Sequence, residues 1–135
     1  MRLLPDTNVL IYDTVEDSEH HEEAARIIDE AGEVIIPSIV IHEYIWAMFK
    51  IAQVSPSFLV IKLREYLGDP KAVYVFESAE VLVSALKMLE ADGESLREMN
   101  DYIILATALH YNLKLATFDR KLRIRALERG LGVVP

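Results

Sequence analysis

Asp6, Glu43, Asp101 and Asp119 are the side chains of this sequence whose types and surroundings suit chemistry. Asp6 directly follows a short apolar run, and Asp119 closes the segment Leu115-Ala116-Thr117-Phe118-Asp119. Each has an ordinary alternative role as a helix cap, because an aspartate accepts the unpaired amides of a first turn. Asp101 opens a nearly all-apolar helical segment, where the helix dipole also favours an acid. Asn100 before it already supplies a cap, so Asp101 is freer to face something polar. Glu43 is the most informative of the four. It lies within Ile39-Val40-Ile41-His42-Glu43-Tyr44-Ile45-Trp46-Ala47-Met48, and its neighbours one turn away are Ile39, Val40, Trp46 and Ala47. A carboxylate so surrounded is costly to bury without a cationic partner. The alternative is a narrow solvent stripe through Glu43 and Lys50.

If the four acids met, they would repel. Two like charges 4 Å apart, at an effective dielectric near 20, cost about 4 kcal/mol. The chain has no cysteine, which excludes disulfides and thiolate metal sites and leaves carboxylates as the natural ligands. Carboxylates select hard cations such as Mg²⁺ or Mn²⁺. Such ions hold a phosphate and lower the pKa of bound water, which is the chemistry of phosphodiester hydrolysis. The histidines do not compete for this role. His20 and His21 are adjacent and would diverge by about 100° on a helix, and His42 and His110 lack partners at helical spacing. No glycine-rich nucleotide-binding motif occurs, which disfavours dinucleotide and P-loop functions. An aspartyl phosphatase would want Asp-x-Asp after the first strand, and here the pair is Asp6 and Asn8.

The elements that must position these acids alternate short apolar runs with longer helical patterns, which indicates an α/β fold with a largely parallel sheet. Strands are predicted at 2–5, 34–36, 72–76, 114–117 and 131–134. Helices are predicted from Asp6 through Tyr12, over 18–31, from Ser38 to about Gln53, over 56–67, from Ser78 through Glu90, from Asn100 through Leu109, and from Asp119 onward. No repeat or linker interrupts the 135 residues, so a single domain spanning 1–135 is expected. Three of the four acids fall where a strand yields to a helix or a helix begins. Open parallel sheets bind ligands beyond the carboxyl ends of their strands.

The net charge of −8 argues at first against a nucleic-acid partner, but its distribution is uneven. Residues 1–33 carry ten acids and two bases, whereas residues 114–135 carry two acids and six bases. Those bases are Lys114, Arg120, Lys121, Arg123, Arg125 and Arg129. They suit phosphates, or they form a solvated helix face. Arg120, Lys121 and Arg123 follow Asp119 closely and are the candidate substrate contacts. Tyr12 could stack on a base, but a packing or surface role is the preferred reading. No apolar run reaches the roughly 18 residues of a membrane span, and a cytoplasmic protein is expected.

These pieces resemble a known arrangement. Asp6-Thr7-Asn8-Val9-Leu10-Ile11-Tyr12 is similar to the opening motif of the PIN domain. Pro37 to Trp46, Asn100 to Ala108 and Leu115 to Asp119 resemble its second, third and fourth motifs, in the same order. The resemblance spans the whole chain. It implies a three-layer α/β/α sandwich around a parallel sheet of about five strands ordered 3-2-1-4-5. It also implies a Mg²⁺- or Mn²⁺-dependent endoribonuclease with Asp6, Glu43, Asp101 and Asp119 as ligands to one or two ions. Thr7 and Thr117 match positions where the family often keeps a hydroxyl near the metal, and Asn8 is read as a backbone-bonding turn residue. The chain's size makes the resemblance closest to the toxin of a VapBC-type toxin–antitoxin pair. That in turn implies an RNA substrate, a small antitoxin partner and a homodimer. An RNA-processing nuclease without an antitoxin, and a non-catalytic RNA- or protein-binding module, are the competing readings.

Overall fold

The computed structural model describes residues 1–135. Strand β1 (Arg2–Pro5) leads into helix α1 (Thr7–Thr14), followed by α2 (His21–Glu30), β2 (Glu33–Pro37), α3 (Ser38–Ala52) and α4 (Pro56–Gly68). Then come β3 (Ala72–Val75), α5 (Ala79–Ala91), a 3-10 turn at Leu96–Glu98, α6 (Met99–Tyr111), β4 (Lys114–Ala116), α7 (Arg120–Glu128) and β5 (Val133–Val134). The strands form one sheet in the order β3-β2-β1-β4-β5, with every pairing parallel. This is the α/β architecture the sequence pattern implies, with helices flanking a central sheet.

The central strand β1 is paired on both sides, and Leu3 and Leu4 are fully buried. Pro5 is tolerated there because it ends the strand. The next ladder donor on the β4 side is the amide of Asp6, which donates to the Ala116 carbonyl at 2.9 Å. Helix α6 carries seven consecutive buried residues, Tyr102 to Ala108, as a nearly all-apolar segment must, and the one polar member, Thr107, donates its hydroxyl to Ile103 O at 2.7 Å. Its inner position is reinforced by its extensive packing against α5. One core of 31 buried apolar residues runs through the sheet and the helices.

Several boundaries differ from the sequence reading, three of them with a clear local cause. Helix α1 continues to Thr14, whose hydroxyl donates to Leu10 O (2.8 Å) and shares hydrogen bonds with Tyr44 and Tyr66. Helix α2 begins at His21 and not at residue 18, because Ser18 and His21 both bond the Tyr12 carbonyl and so turn the chain. The last strand shortens to two residues, since α7 ends in a left-handed turn at Gly130 (φ 81°) that draws the Leu131 amide back to Ala126 O. That conformation suits glycine, which has no Cβ to clash.

Candidate active site

The site begins at the carboxyl ends of the central strand β1 and its neighbour β4. Asp6 leaves β1 and caps α1, with Oδ1 accepting the Val9 amide at 3.1 Å. Its other oxygen accepts the hydroxyl of Thr117, which leaves the end of β4. The same Thr117 oxygen accepts the amide of Asp119 at 3.0 Å, and Asp119 Oδ1 caps α7 through the Leu122 amide at 2.9 Å. Both aspartates are therefore the helix caps that sequence allows, and each does this with one oxygen. The pairing of β1 with β4 fixes their mutual position.

Glu43 comes from the middle of α3. Its Oε1 accepts the Thr7 hydroxyl at 2.6 Å, and its Oε2 accepts the Asn100 side-chain amide at 3.1 Å. Asp101 lies in the first turn of α6. All four acids line one open cleft of about 320 Å³, together with Thr7, Asn8, Ile11, Ala47, Lys50 and Ile104. Glu43 and Lys50 do share a helix face, as the stripe reading has it, but that face borders the cleft.

Burial and mutual charge act on these groups. Asp6 is 5% exposed. Burial raises its pKa to about 6, against the lowering effect of the Thr117 and Val9 hydrogen bonds, and the charges of Asp101 and Asp119 push the same way as burial. Asp101 also rises to about 6, first by burial and then by the charges of Asp119, Glu43 and Glu98. The only ion pair made by any of the four is between Arg125 Nη1 and Asp101 Oδ2, at 4.0 Å.

Does this cleft suit a divalent cation? As the side chains stand, no three of the His, Asp and Glu groups are close enough together to hold an ion. The donor chemistry nevertheless fits a hard cation. The lining offers four carboxylates with oxygen donors only, and two of them lie in surroundings that disfavour their charge. A cation would relieve that repulsion.

Several other positions differ from their sequence reading. Asn8 is not a turn residue: it lies in α1, exposed and facing the cleft. Asn100 is not the cap of α6, which begins at Met99 after the 3-10 turn. Its amide is instead a ligand of Glu43, a contact between residues 57 positions apart that no local pattern could reveal. None of Arg120, Lys121 and Arg123 lines the cleft. Lys121 is paired with Glu98 at 2.8 Å and Arg123 donates to the Pro135 carbonyl, while Arg120 is exposed beside Asp119. Tyr12 does not differ: it packs edge-on against Phe118 and His20, with His20 stacked on Phe118, in the packing role preferred from its sequence. Arg125, counted among the surface bases from its sequence, is buried.

The family model for the PIN domain matches residues 3–127. Among solved structures, the chain is similar to the toxin VapC20 of Mycobacterium tuberculosis, described as cleaving the sarcin-ricin loop. The TM-score is 0.78 at 14% identity, over 91% of this chain and 94% of that one. It is also similar to a chain of VapBC2 from Rickettsia felis bound to a promoter DNA fragment, with TM-score 0.68 and 20% identity over 99% and 98% of the two chains. A toxin–antitoxin complex from Klebsiella pneumoniae gives TM-score 0.66 and 22% identity over 98% and 96%. Among curated proteins, no sequence matches. At these identities the structural likenesses establish the fold.

Proposed function

Because the chain belongs to the PIN-domain family, we propose that it is a divalent-cation-dependent endoribonuclease, the toxin of a toxin–antitoxin pair. The observation that carries this reading is the convergence of Asp6, Glu43, Asp101 and Asp119 on one cleft from four different elements. In it, Asp6 and Asp101 would hold a first Mg²⁺ or Mn²⁺, and Glu43 and Asp119 would complete its surroundings or hold a second. The cation, when bound, supplies charge for the scissile phosphate and acidity for the attacking water.

The chain's own residues do the positioning. Thr117 orients Asp6 and the Asp119 backbone together, and Thr7 and Asn100 fix both oxygens of Glu43. Asp119 keeps one oxygen outside its capping bond. Asn8 and Lys50 border the cleft where an RNA backbone enters, and the exposed Arg120 meets a flanking phosphate. Hydrolysis breaks the bond to O3′ and leaves a 5′-phosphate and a 3′-hydroxyl.

RNA as substrate is supported by the described activity of VapC20, and an antitoxin partner by the toxin–antitoxin complexes among the similar structures. The reading includes a homodimer working in the cytoplasm. No helix of the chain is long and apolar enough to cross a membrane.

The test is direct. Purified protein is incubated with cellular RNA in Mg²⁺, in Mn²⁺ and in chelator, and the new 5′ ends are sequenced. Discrete 5′-phosphate ends should appear with either metal, vanish with chelator, and be absent for Asp6→Asn. Ends that persist in chelator, or that Asp6→Asn also produces, would defeat the assignment.

A further inference from the structure

Arg125 is the one basic side chain buried beside the acid cleft. Its side chain is 7% exposed, and neither terminal nitrogen makes a hydrogen bond. A buried guanidinium held for structure normally donates bidentate hydrogen bonds to a carboxylate. This one instead sits among three acids of the stretch that runs through the 3-10 turn into the first turn of α6. Its Nη2 is 3.2 Å from Glu94 and 3.9 Å from Glu98, and its Nη1 is 4.0 Å from Asp101. Glu98 is already paired with Lys121. Arginine does not lose its proton in proteins, so the charge is permanent.

The group is also held in place. The guanidinium carbon lies 4.8 Å over the Tyr102 ring, and Tyr102 directs its hydroxyl to Asp92 at 2.5 Å. Arg129 closes the frame by bonding both Asp92 and the Arg125 carbonyl. A fixed, permanent positive charge therefore lies between the cleft acid Asp101 on one side and Glu94 and Glu98 on the other.

We propose that Arg125 is a positioning residue acting through Asp101, whose charge sets how tightly the cleft holds a divalent cation, with Glu94 setting how much of that charge Asp101 feels. This rests on the cation-dependent reading above. Arg125 offsets part of the carboxylate repulsion in the metal-free protein and opposes the incoming cation. Glu94, the nearest acid at 3.2 Å, offsets part of the guanidinium's effect at the cleft with its own negative charge. Removing Arg125 then tightens cation binding, and neutralising Glu94 loosens it. An arginine that served packing alone would not predict the first shift.

The experiment is calorimetric titration of the intact protein with Mn²⁺, with folding checked by circular dichroism. Arg125→Met should bind Mn²⁺ about tenfold more tightly than the parent, since a point charge a few ångströms from a ligand acts at that scale. Arg125→Lys, which keeps the charge, should stay near the parent. Glu94→Gln should bind several-fold more weakly. An Arg125→Met affinity that is unchanged or weaker, or a shift in the same direction in both variants, overturns the proposal. If Arg125→Met does not fold, Arg125→Gln is titrated in its place: tighter binding supports the proposal and unchanged binding overturns it. A parent protein that takes up no Mn²⁺ would sink the cation-dependent reading and this inference with it. A parent that binds, with variants that match it, sinks only this inference.

Discussion

Thr117 donates its buried hydroxyl to Asp6, a residue 111 positions away in sequence, while the same oxygen accepts the Asp119 amide. One side chain thus ties two of the four cleft acids together across the β1–β4 pairing. Thr117→Val keeps the shape and removes the donor. A buried polar partner left unsatisfied costs about 1–3 kcal/mol, so the melting temperature should fall and cation affinity with it. Thr117→Ser should recover most of both. Calorimetric unfolding with and without Mn²⁺ checks this. A valine variant with parental stability and parental affinity would show that the hydroxyl has no positioning role.

Asp101 lies in a different balance. Burial and the charges of Asp119, Glu43 and Glu98 all disfavour its ionised form. Asp101→Asn should therefore abolish RNA cleavage while raising the melting temperature measured in chelator. Added Mg²⁺ or Mn²⁺ should stabilise the parent much more than this variant, since a ligand at a hundred times its Kd contributes about 2.7 kcal/mol. A lower melting temperature for the variant in chelator would mark Asp101 as structural.

The raised pKa values of Asp6 and Asp101 fix a pH dependence. Each moves from 3.8 to about 6 on folding, so between these values the folded state holds more protons than the unfolded one. Stability from these two groups is full at low pH and declines as pH rises through about 4 to 6. Glu77, Asp92 and Glu98 are shifted the other way by their hydrogen-bond donors and act in the opposite sense as pH falls. The clean readout is therefore a difference. Metal-free Asp6→Asn should gain stability over the parent as pH rises from 4 to 7, and cation affinity of the parent should rise over the same range as bound protons leave. A pH-independent difference between parent and variant would contradict the assignment.

Asn100 supplies one of the two donors that hold Glu43. Asn100→Ala should reduce cleavage by roughly tenfold, about 1.4 kcal/mol of lost positioning. Asn100→Asp should reduce it further, because the new carboxylate would face Glu43 directly. Initial rates on one RNA oligonucleotide separate the two variants. Equal rates for both, or parental rates for either, would remove Asn100 from the site.

The element order was readable because its signals are local. Apolar strands alternate with helical periodicity, and Ser78 caps α5 through the Val81 amide as its position suggests. The motifs resembling the PIN domain were local as well, and the family model covers residues 3–127. Asn100 and Arg125 escaped a sequence reading for one reason. What each does depends on partners that are distant in the chain or on burial, and residue type reports neither. Arg125 has the same sequence appearance as Arg120 and Lys121, yet it alone is inside.

By itself, then, the sequence determined the elements, the sheet topology through its resemblance, and the acids worth attention. Periodicity, turn chemistry and residue type act over a few neighbouring positions, and these features need nothing more. Tertiary structure alone decided which oxygens are spent on caps, which neutral donors hold Glu43, and which charge stands behind Asp101. Those outcomes depend on distances of a few ångströms between segments that only folding brings together, where both hydrogen bonding and Coulomb energy change steeply with separation.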